Sequence, residues 1–521
     1  MNRITRRDFA KSTLTSAASI VYSAQARGKL SRDRPNILFL MTDQHRADCV
    51  GSYGNRAIHT PNLDWMAREG VRFSRAYTSA PSCPPTRSAI LTGLSPWHHG
   101  LLGYGPIATL HRFEMPRALS EAGYYTIALG KMHFSCPERN YHGFHQMLLE
   151  EADRADSPDF RSDYRSWFWS EAPNLDPDAT GLGWNDYRSK AFALPERLHI
   201  VRWIGDTAVR FLRTYNRPKP FFLWVSIERP HSPYDPPKRF LRRYADAALP
   251  RPVVAKWAKR YKQRSGPGYD IWHGDLGSQQ VLQSRRGYYG LVSFVDEQFG
   301  RIFEVLDQRG WIEETLIIHT ADHGDMLGDH FLWRKCQPYE ASARIPMLMR
   351  WPKGLLSAQR SQVVTQPVEA RDILPTFLEA ASVEPKAKLD GRSLLSLVRE
   401  RKAEWRQYID LEHDICYAPE NHWNALTDGH FKYIFHALNG EEQLFDLHRD
   451  PNELNDLASD PAYGSGLREW RRRLVNHLAE RGDSFVRNGE LVRRPKKFTY
   501  SPNYPGCKGD LVHARNDAFV K

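Results

Sequence analysis

The segment PSCPPTRSAILTG, residues 81–93, sets Cys83 directly before two prolines, with Arg87 four places on and helix-compatible residues beyond. Pro84 and Pro85 suit a first helical turn, because their fixed φ matches it and their missing N–H groups would find no intrahelical acceptor there. Ser88, Ala89, Ile90 and Leu91 continue the turn. Cys83 is therefore predicted near a helix N-terminus, where unpaired N–H groups and the helix dipole stabilise negative charge. A cysteine in that position is either an inert buried thiol or the seat of nucleophilic chemistry.

Four apolar runs elsewhere stop abruptly at polar residues. Ile37–Met41 ends in Asp43 and Gln44, and a run through Ile127 and Leu129 ends in Lys131 and His133. Phe221–Ile227 leads into a proline-rich loop carrying His231, and Leu316–His319 ends in Asp322 and His323. Singly, Asp43 or the Asp322-His323-Gly324 triplet reads equally well as turn chemistry. His319 reads as a satisfied core histidine, and His98 and His99 before Gly100 as loop residues. The shared position at the ends of four runs is what points to a site.

The elements that must position these residues follow from periodicity. Between the apolar runs lie amphipathic stretches at residues 60–70, 198–215 and 288–310, the first entered through Thr60 or Pro61 and the last closed by Gly310. Apolar strands alternating with helices predict an α/β fold, a large and mostly parallel sheet covered on both faces. Ligands bind such sheets at the carboxyl ends of the strands. Asp, Gln, Lys and His side chains are thus expected to converge on one edge.

The constellation resembles the type I sulfatases of the alkaline phosphatase superfamily. The likeness rests on Cys83-Pro84-Pro85-Thr86-Arg87 with Leu91-Thr92-Gly93, on Asp43-Gln44, Gly130-Lys131-Met132-His133, Pro230-His231, Asp322-His323-Gly324, and Lys335 just beyond GDHFLW. These segments keep the family's order from about Asn36 to about Leu457. The resemblance implies that a maturation enzyme oxidises Cys83 to formylglycine, whose hydrate attacks sulfur and then re-forms the aldehyde, ejecting sulfate. By the same resemblance Arg87 holds the hydrate, Lys131 and Lys335 neutralise the sulfate oxygens, His133 assists collapse of the hydrate, and His231 protonates or hydrogen-bonds the leaving alcohol.

The resemblance also implies that Asp43, Gln44, Asp322 and His323 hold one divalent cation together with the oxygen borne at Cys83. Three oxygen donors and an imidazole suit Ca²⁺ best, with Mn²⁺ and Mg²⁺ as alternatives. The commonest pattern has a second Asp where Gln44 stands and often Asn where His323 stands. Gln and His at these places occur in the related phosphonate monoester hydrolases, so a phosphonate monoester or phosphodiester is an alternative substrate, as is an aryl or choline sulfate. The expected substrate is a sulfated small molecule or glycan.

Beyond residue 398 the pattern changes to short strands, with turns at Asp428-Gly429 and Asn439-Gly440, followed by the basic helix GLREWRRRLVNHLAERG. A catalytic domain at 33–398, an antiparallel α+β subdomain at 399–485 and a basic tail at 486–521 are expected. The tail could alternatively wrap over an anionic-substrate site. Residues 163–187 form an insertion dense in Trp and Tyr, suited to packing or to stacking on a sugar face. The first 26 residues resemble a twin-arginine export signal, with Arg6-Arg7 before a mildly apolar stretch too short to span a bilayer and Ala24-Gln25-Ala26 at its end. Its removal would take the net charge from +12 to +9, still suited to an anionic substrate. No zinc-finger spacing, RNP-like stretch or long basic helix indicates nucleic-acid binding, no later segment indicates stable membrane insertion, and nothing fixes the oligomeric state. Six scattered cysteines without CxxC argue against a disulfide framework.

Overall fold

The computed structural model describes residues 34–134, 139–151, 160–400 and 403–506. The expected signal segment, Cys136 and Cys507 lie outside them. Among the described residues no helix is long and apolar enough to cross a membrane.

Eight strands form the central sheet. In chain order they are β1 (Asn36–Asp43), β2 (Val71–Phe73), β4 (Tyr125–Gly130), β5 (Gln146–Leu149), β6 (Phe221–Pro230), β7 (Thr315–Ala321), β8 (Met347–Arg350) and β9 (Gln362–Val364), while β3 (Ala76–Tyr77) pairs with β10 (Val368–Glu369) in a separate short ladder. The spatial order is β5-β4-β6-β1-β7-β8-β2-β9. Only β8 runs against its two neighbours, so the sheet is mixed but mostly parallel. Alternation along β1 explains its two-sided burial: Ile37, Phe39 and Met41 join one core, Leu38 and Leu40 the other. Helices Cys83–Thr92, Met115–Glu121 and Ile373–Ala380 cover the first face. Helices Pro61–Arg68, Ile200–Thr214 and Ser278–Gln308 cover the second. The last begins ten residues before its expected start, because Val281, Ser284 and Arg285 bury an otherwise polar stretch.

A second sheet of four antiparallel strands follows: β11 (Ile409–His413), β12 (Trp423–Thr427), β13 (Phe431–His436) and β14 (Glu442–Asp446). Gly429 and Gly440 take positive φ at the two hairpin turns. One face packs on helix Gly464–Leu478 through Trp470 and Leu474, and the other packs against Tyr77, Met326 and Tyr339 of the larger half. Residues 486–506 are not a free tail. Leu102 N–H donates to Thr499 O at 2.8 Å, Ser501 N–H to Gly100 O at 2.8 Å, and Tyr504 Oη to Pro106 O at 2.9 Å. His98 and His99, expected in a loop, close the short helix Pro96–His99, where His98 Nδ1 lies 2.6 Å from Asp390 Oδ2.

Candidate active site

The parallel strands β1, β4, β6 and β7 present their carboxyl ends on one edge, and Asp43, Lys131, His231 and Asp322 stand there. Gly130 permits this convergence: its φ is +92°, and a Cβ would lie 2.1 Å from Ser226 O on the neighbouring strand. Gly324 does the same after β7, where a Cβ would meet Ala341 O at 2.0 Å.

Cys83 is the first residue of a ten-residue helix that is buried along its whole length. Its N-cap, Ser82, makes no side-chain cap; its Oγ instead lies 2.8 Å from His413 Nε2 on β11. The Cys83 Sγ sits 3.0 Å from Lys335 Nζ, 3.3 Å from His323 Nε2, 3.4 Å from Asp43 Oδ2 and 3.7 Å from Lys131 Nζ. Burial, reinforced by Asp43, pushes this thiol up despite the two lysines, so it stands protonated.

One donor atom from each of Asp43, Cys83, Asp322 and His323 lies within 4.8 Å of the others, all four residues being buried. His323 Nδ1 is 2.8 Å from Gly324 O, an arrangement that leaves Nε2 as the ligating nitrogen. Gln44 joins them through its backbone, whose N–H donates to Asp322 Oδ1 at 3.1 Å. Its Nε2 donates to Asp325 Oδ2 at 2.7 Å, which leaves Oε1 buried with no hydrogen-bond partner. An orphaned buried acceptor beside two carboxylates and an imidazole fits a hard divalent cation.

Arg87 ties the strand ends together. It donates through Nη2 to Asp322 Oδ2 at 3.0 Å, and through Nη1 to Lys131 O at 2.5 Å and Ser226 Oγ at 3.1 Å. Its contacts thus hold a ligand carboxylate rather than Cys83 itself. Lys131 Nζ pairs directly with Asp43 Oδ2. Burial would raise the Asp43 carboxyl, but Lys131, then Lys335, holds it well below its ordinary value. Burial opposes the charge on Lys335 as well, yet Cys83 and Asp43 keep it raised.

His133 is fixed by its backbone N–H, which donates to Glu151 Oε1 at 2.5 Å, and its ring lies edge-on to Tyr104 at 5.9 Å. His231 Nδ1 lies 2.7 Å from Ser232 O, and burial followed by Lys335 drives its pKa well down. The imidazole is therefore neutral, with Nε2 as its free lone pair. Trp184 packs against this ring at 4.5 Å and lies 5.5 Å from Lys131 Nζ. All ten residues singled out from the sequence stand in this one region. The residues that sequence reasoning missed are those that hold them: Asp325, Glu151, Ser226, Trp184 and Tyr104. Of these, Asp325 carried a signal, two places beyond His323 in the same motif, and Trp184 lies in the ring-rich insertion at 163–187.

The family described as Sulfatase matches residues 35–383, and one described as N-sulphoglucosamine sulphohydrolase, C-terminal, matches residues 328–480. The chain is similar to an arylsulfatase of Clostridium perfringens, 36% identical over 473 residues that cover 88% of this chain and 98% of the relative. It is similar to an N-acetylglucosamine-6-O-sulfatase of Bacteroides thetaiotaomicron, 26% identical over 505 residues covering 84% and 85%. Among solved structures it is similar to a phosphonate monoester hydrolase of Agrobacterium radiobacter, with a TM-score of 0.73, 25% identity and coverage of 88% and 100%.

Proposed function

Because the chain belongs to the sulfatase family of the alkaline phosphatase superfamily, and is accordingly a sulfuric ester hydrolase, we infer that Cys83 matures to formylglycine and acts beside one divalent cation on a sulfated carbohydrate. The observation that carries this reading is the place of the Cys83 Sγ, within 3.0–3.7 Å of Lys335, His323, Asp43 and Lys131. That sulfur stands in for the oxygen that would replace it. Left as a protonated thiol it is a poor nucleophile.

Asp43, Gln44, Asp322 and His323 would hold the cation, with Ca²⁺ the best match to three oxygen donors and Mn²⁺ or Mg²⁺ the alternatives. When bound, it supplies the Lewis acidity that makes an oxygen nucleophile available at neutral pH. Arg87 keeps Asp322 oriented. Lys131 and Lys335 offset the charge that spreads over the sulfate oxygens in a site closed to bulk water. His133 would take a proton from the nucleophile's remaining hydroxyl. His231, with Nδ1 taken by Ser232 O, would use Nε2 toward the departing oxygen; a bound anion favours its protonation, so it would pass that proton to the alcohol as the S–O bond breaks.

Two observations support a carbohydrate. A cavity of about 290 Å³ opens beside Trp184, lined among others by Tyr164, Asp178, Glu228 and Arg229, a mixture of ring faces and hydrogen-bonding groups suited to a hydroxylated ring. The Bacteroides thetaiotaomicron relative is named for a sulfated sugar. Hydrolysis of a phosphonate monoester or phosphodiester is the second reading, favoured by Gln44 and His323 and by the Agrobacterium radiobacter neighbour; an aryl or choline sulfate is a further alternative, in line with the arylsulfatase relative and a choline-sulfatase relative of Rhizobium meliloti. We further propose a formylglycine-generating enzyme as maturation partner and export through residues 1–26.

The test is a screen of purified enzyme against defined sulfated saccharides, an aryl sulfate and a phosphonate monoester, with peptide mass spectrometry across Cys83. Formylglycine lowers that residue's mass by about 18 Da. Sulfate release from a saccharide is expected with the matured protein and is expected to vanish in Cys83→Ala. Equal turnover by Cys83→Ala would overturn the assignment of the nucleophile, and cleavage of the phosphonate alone would overturn the substrate.

A further inference from the structure

Trp184, whose ring packs on that of His231, stands between two hollows. On one side lies the cavity of about 290 Å³ that Tyr164 and Glu228 help to line. On the other, a more open groove of about 450 Å³ runs between residues 183–188 and residues 268–270. Both walls of this groove are tied to loops that carry reacting groups. Trp184 O accepts from Ser232 Oγ at 2.9 Å, next to His231. The facing wall is the excursion 262–275, closed at its base by Asp275 N–H donating to Lys262 O and Ser265 N–H to His273 O, each at 2.9 Å. That excursion is stitched to the segment just before Lys335: Trp333 N–H donates to Trp272 O at 2.9 Å, and Trp333 Nε1 to Gly274 O at 3.0 Å. The groove therefore continues from the catalytic cleft and is fixed relative to it.

The two hollows differ in charge. The cavity holds Arg165 and Arg229 against Glu150, Asp178, Glu228 and Asp235, an excess of carboxylates. In the groove the two carboxylates are matched by arginines, Asp186 by Arg188 and Asp270 by Arg334. The Tyr269 ring has the Arg188 guanidinium at 4.9 Å and that of Arg264 at 5.8 Å. Residues 251–264, which lead into the excursion, hold six cations, all exposed, and no acid. Among the described residues only one of the six, Arg260, is in an ion pair, with Glu441. An anionic group is thus favoured on the groove side of Trp184 and disfavoured on the cavity side.

We propose that the groove beyond Trp184 is a second saccharide subsite, which takes the neighbouring unit of an oligosaccharide and prefers a neighbour that itself carries sulfate. This inference rests on the carbohydrate reading above and deepens it: the substrate is a unit of a multiply sulfated chain, not a free sulfated monosaccharide. The neighbouring ring packs against Tyr269, and its sulfate is drawn to Arg264 and the basic segment behind it.

Calorimetric titration of the full chain carrying Cys83→Ala, which is expected to hold substrate without turning it over, tests this with three probes: a sulfated monosaccharide, a disaccharide of that unit with a neutral neighbour, and one with a sulfated neighbour. The doubly sulfated disaccharide is expected to bind about tenfold more tightly than the monosaccharide, with the neutral disaccharide between them. Adding Tyr269→Ala should remove most of the gain of both disaccharides, and Tyr269→Phe should keep it. Arg264→Gln should remove chiefly what the second sulfate adds, an increment that should also shrink as salt is raised. Equal affinity for all three probes, or a gain untouched by Tyr269→Ala, would overturn the subsite. Equal affinity for the two disaccharides would overturn its preference for sulfate. Binding of an aryl sulfate but of none of the three saccharides would instead overturn the carbohydrate reading on which the subsite rests.

Discussion

Gln44 stands where a carboxylate is commoner in the family pattern, and Asp325 supplies the physical reason. Asp325 Oδ2 accepts from Gln44 Nε2 and from Tyr234 Oη, each at 2.7 Å, so an amide at 44 donates where a carboxylate would repel. Gln44→Glu is expected to weaken binding of Ca²⁺ by about 10–100-fold, as loss of an orienting partner does, and adding Asp325→Asn should recover most of that loss. Calorimetric titration of metal-free protein checks this; undiminished affinity in the single variant would refute the pairing. The two lysines separate in the same way. Lys131→Met leaves the fully buried Asp43 without its closest cation, a change that costs about 3–5 kcal/mol of stability as well as activity. Lys335→Met removes a group whose nearest partner is the Cys83 sulfur, so kcat should fall about 10²–10³-fold with little change in the unfolding midpoint. Denaturant curves beside kcat distinguish the two. Most of the reactive residues were legible in the sequence because they terminate an apolar run or open a helix, whereas the roles of Arg87 and Lys335 came from the family resemblance alone. Glu151 and Ser226 were not legible, since their roles arise only when the end of β4 meets the residues after β5 on one side and β6 on the other.

The same divide recurs among the elements. The helix beginning at Cys83 was readable from two prolines at its start and Gly93 at its end, where φ is +69°. The parallel strands were readable from unbroken apolar runs. The strap at residues 499–504 was not, because it has no periodicity of its own. Its order comes from hydrogen bonds to the segment at 97–106, the end of a short helix and the loop after it, and from Thr499 Oγ1, which donates to Asp414 Oδ2 at 2.9 Å. That loop carries Tyr104, edge-on to His133 and 6.0 Å from Lys335 Nζ. Truncation after Lys496 is therefore expected to raise KM several-fold and to lower the melting temperature, leaving the metal ligands in place. Initial-rate kinetics and thermal melts on the truncated chain test this; an unchanged KM would separate the strap from the site.

At the scale of the molecule, the small antiparallel sheet is joined to the catalytic half partly by charge buried within an apolar interface. Lys432 of β13 is fully buried, 2.8 Å from Glu340 Oε1 and 2.9 Å from Glu453 Oε1, and those two carboxylates with their flanking residues link the region after Lys335 to the turn after β14. The two carboxylates keep Lys432 charged against the cost of burial. Burial, only partly offset by Lys432, pushes Glu453 up from 4.5 to about 7. Between those values the folded chain holds a proton that the unfolded chain releases, so this group's contribution to stability declines as pH rises from about 4.5 to about 7. Removing Lys432 moves the carboxyl further up and extends the decline to higher pH. Lys432→Met should consequently cost about 3–5 kcal/mol near pH 8, where Glu453 must either stay charged beside Glu340 or take up a proton from solvent. Near pH 5 the carboxyl carries a proton and the cost should be smaller. Urea unfolding of both proteins at the two pH values measures the difference; a penalty that is equal at both, or larger in acid, would show that the junction rests on packing around Tyr77 and Tyr339 and not on the buried charges.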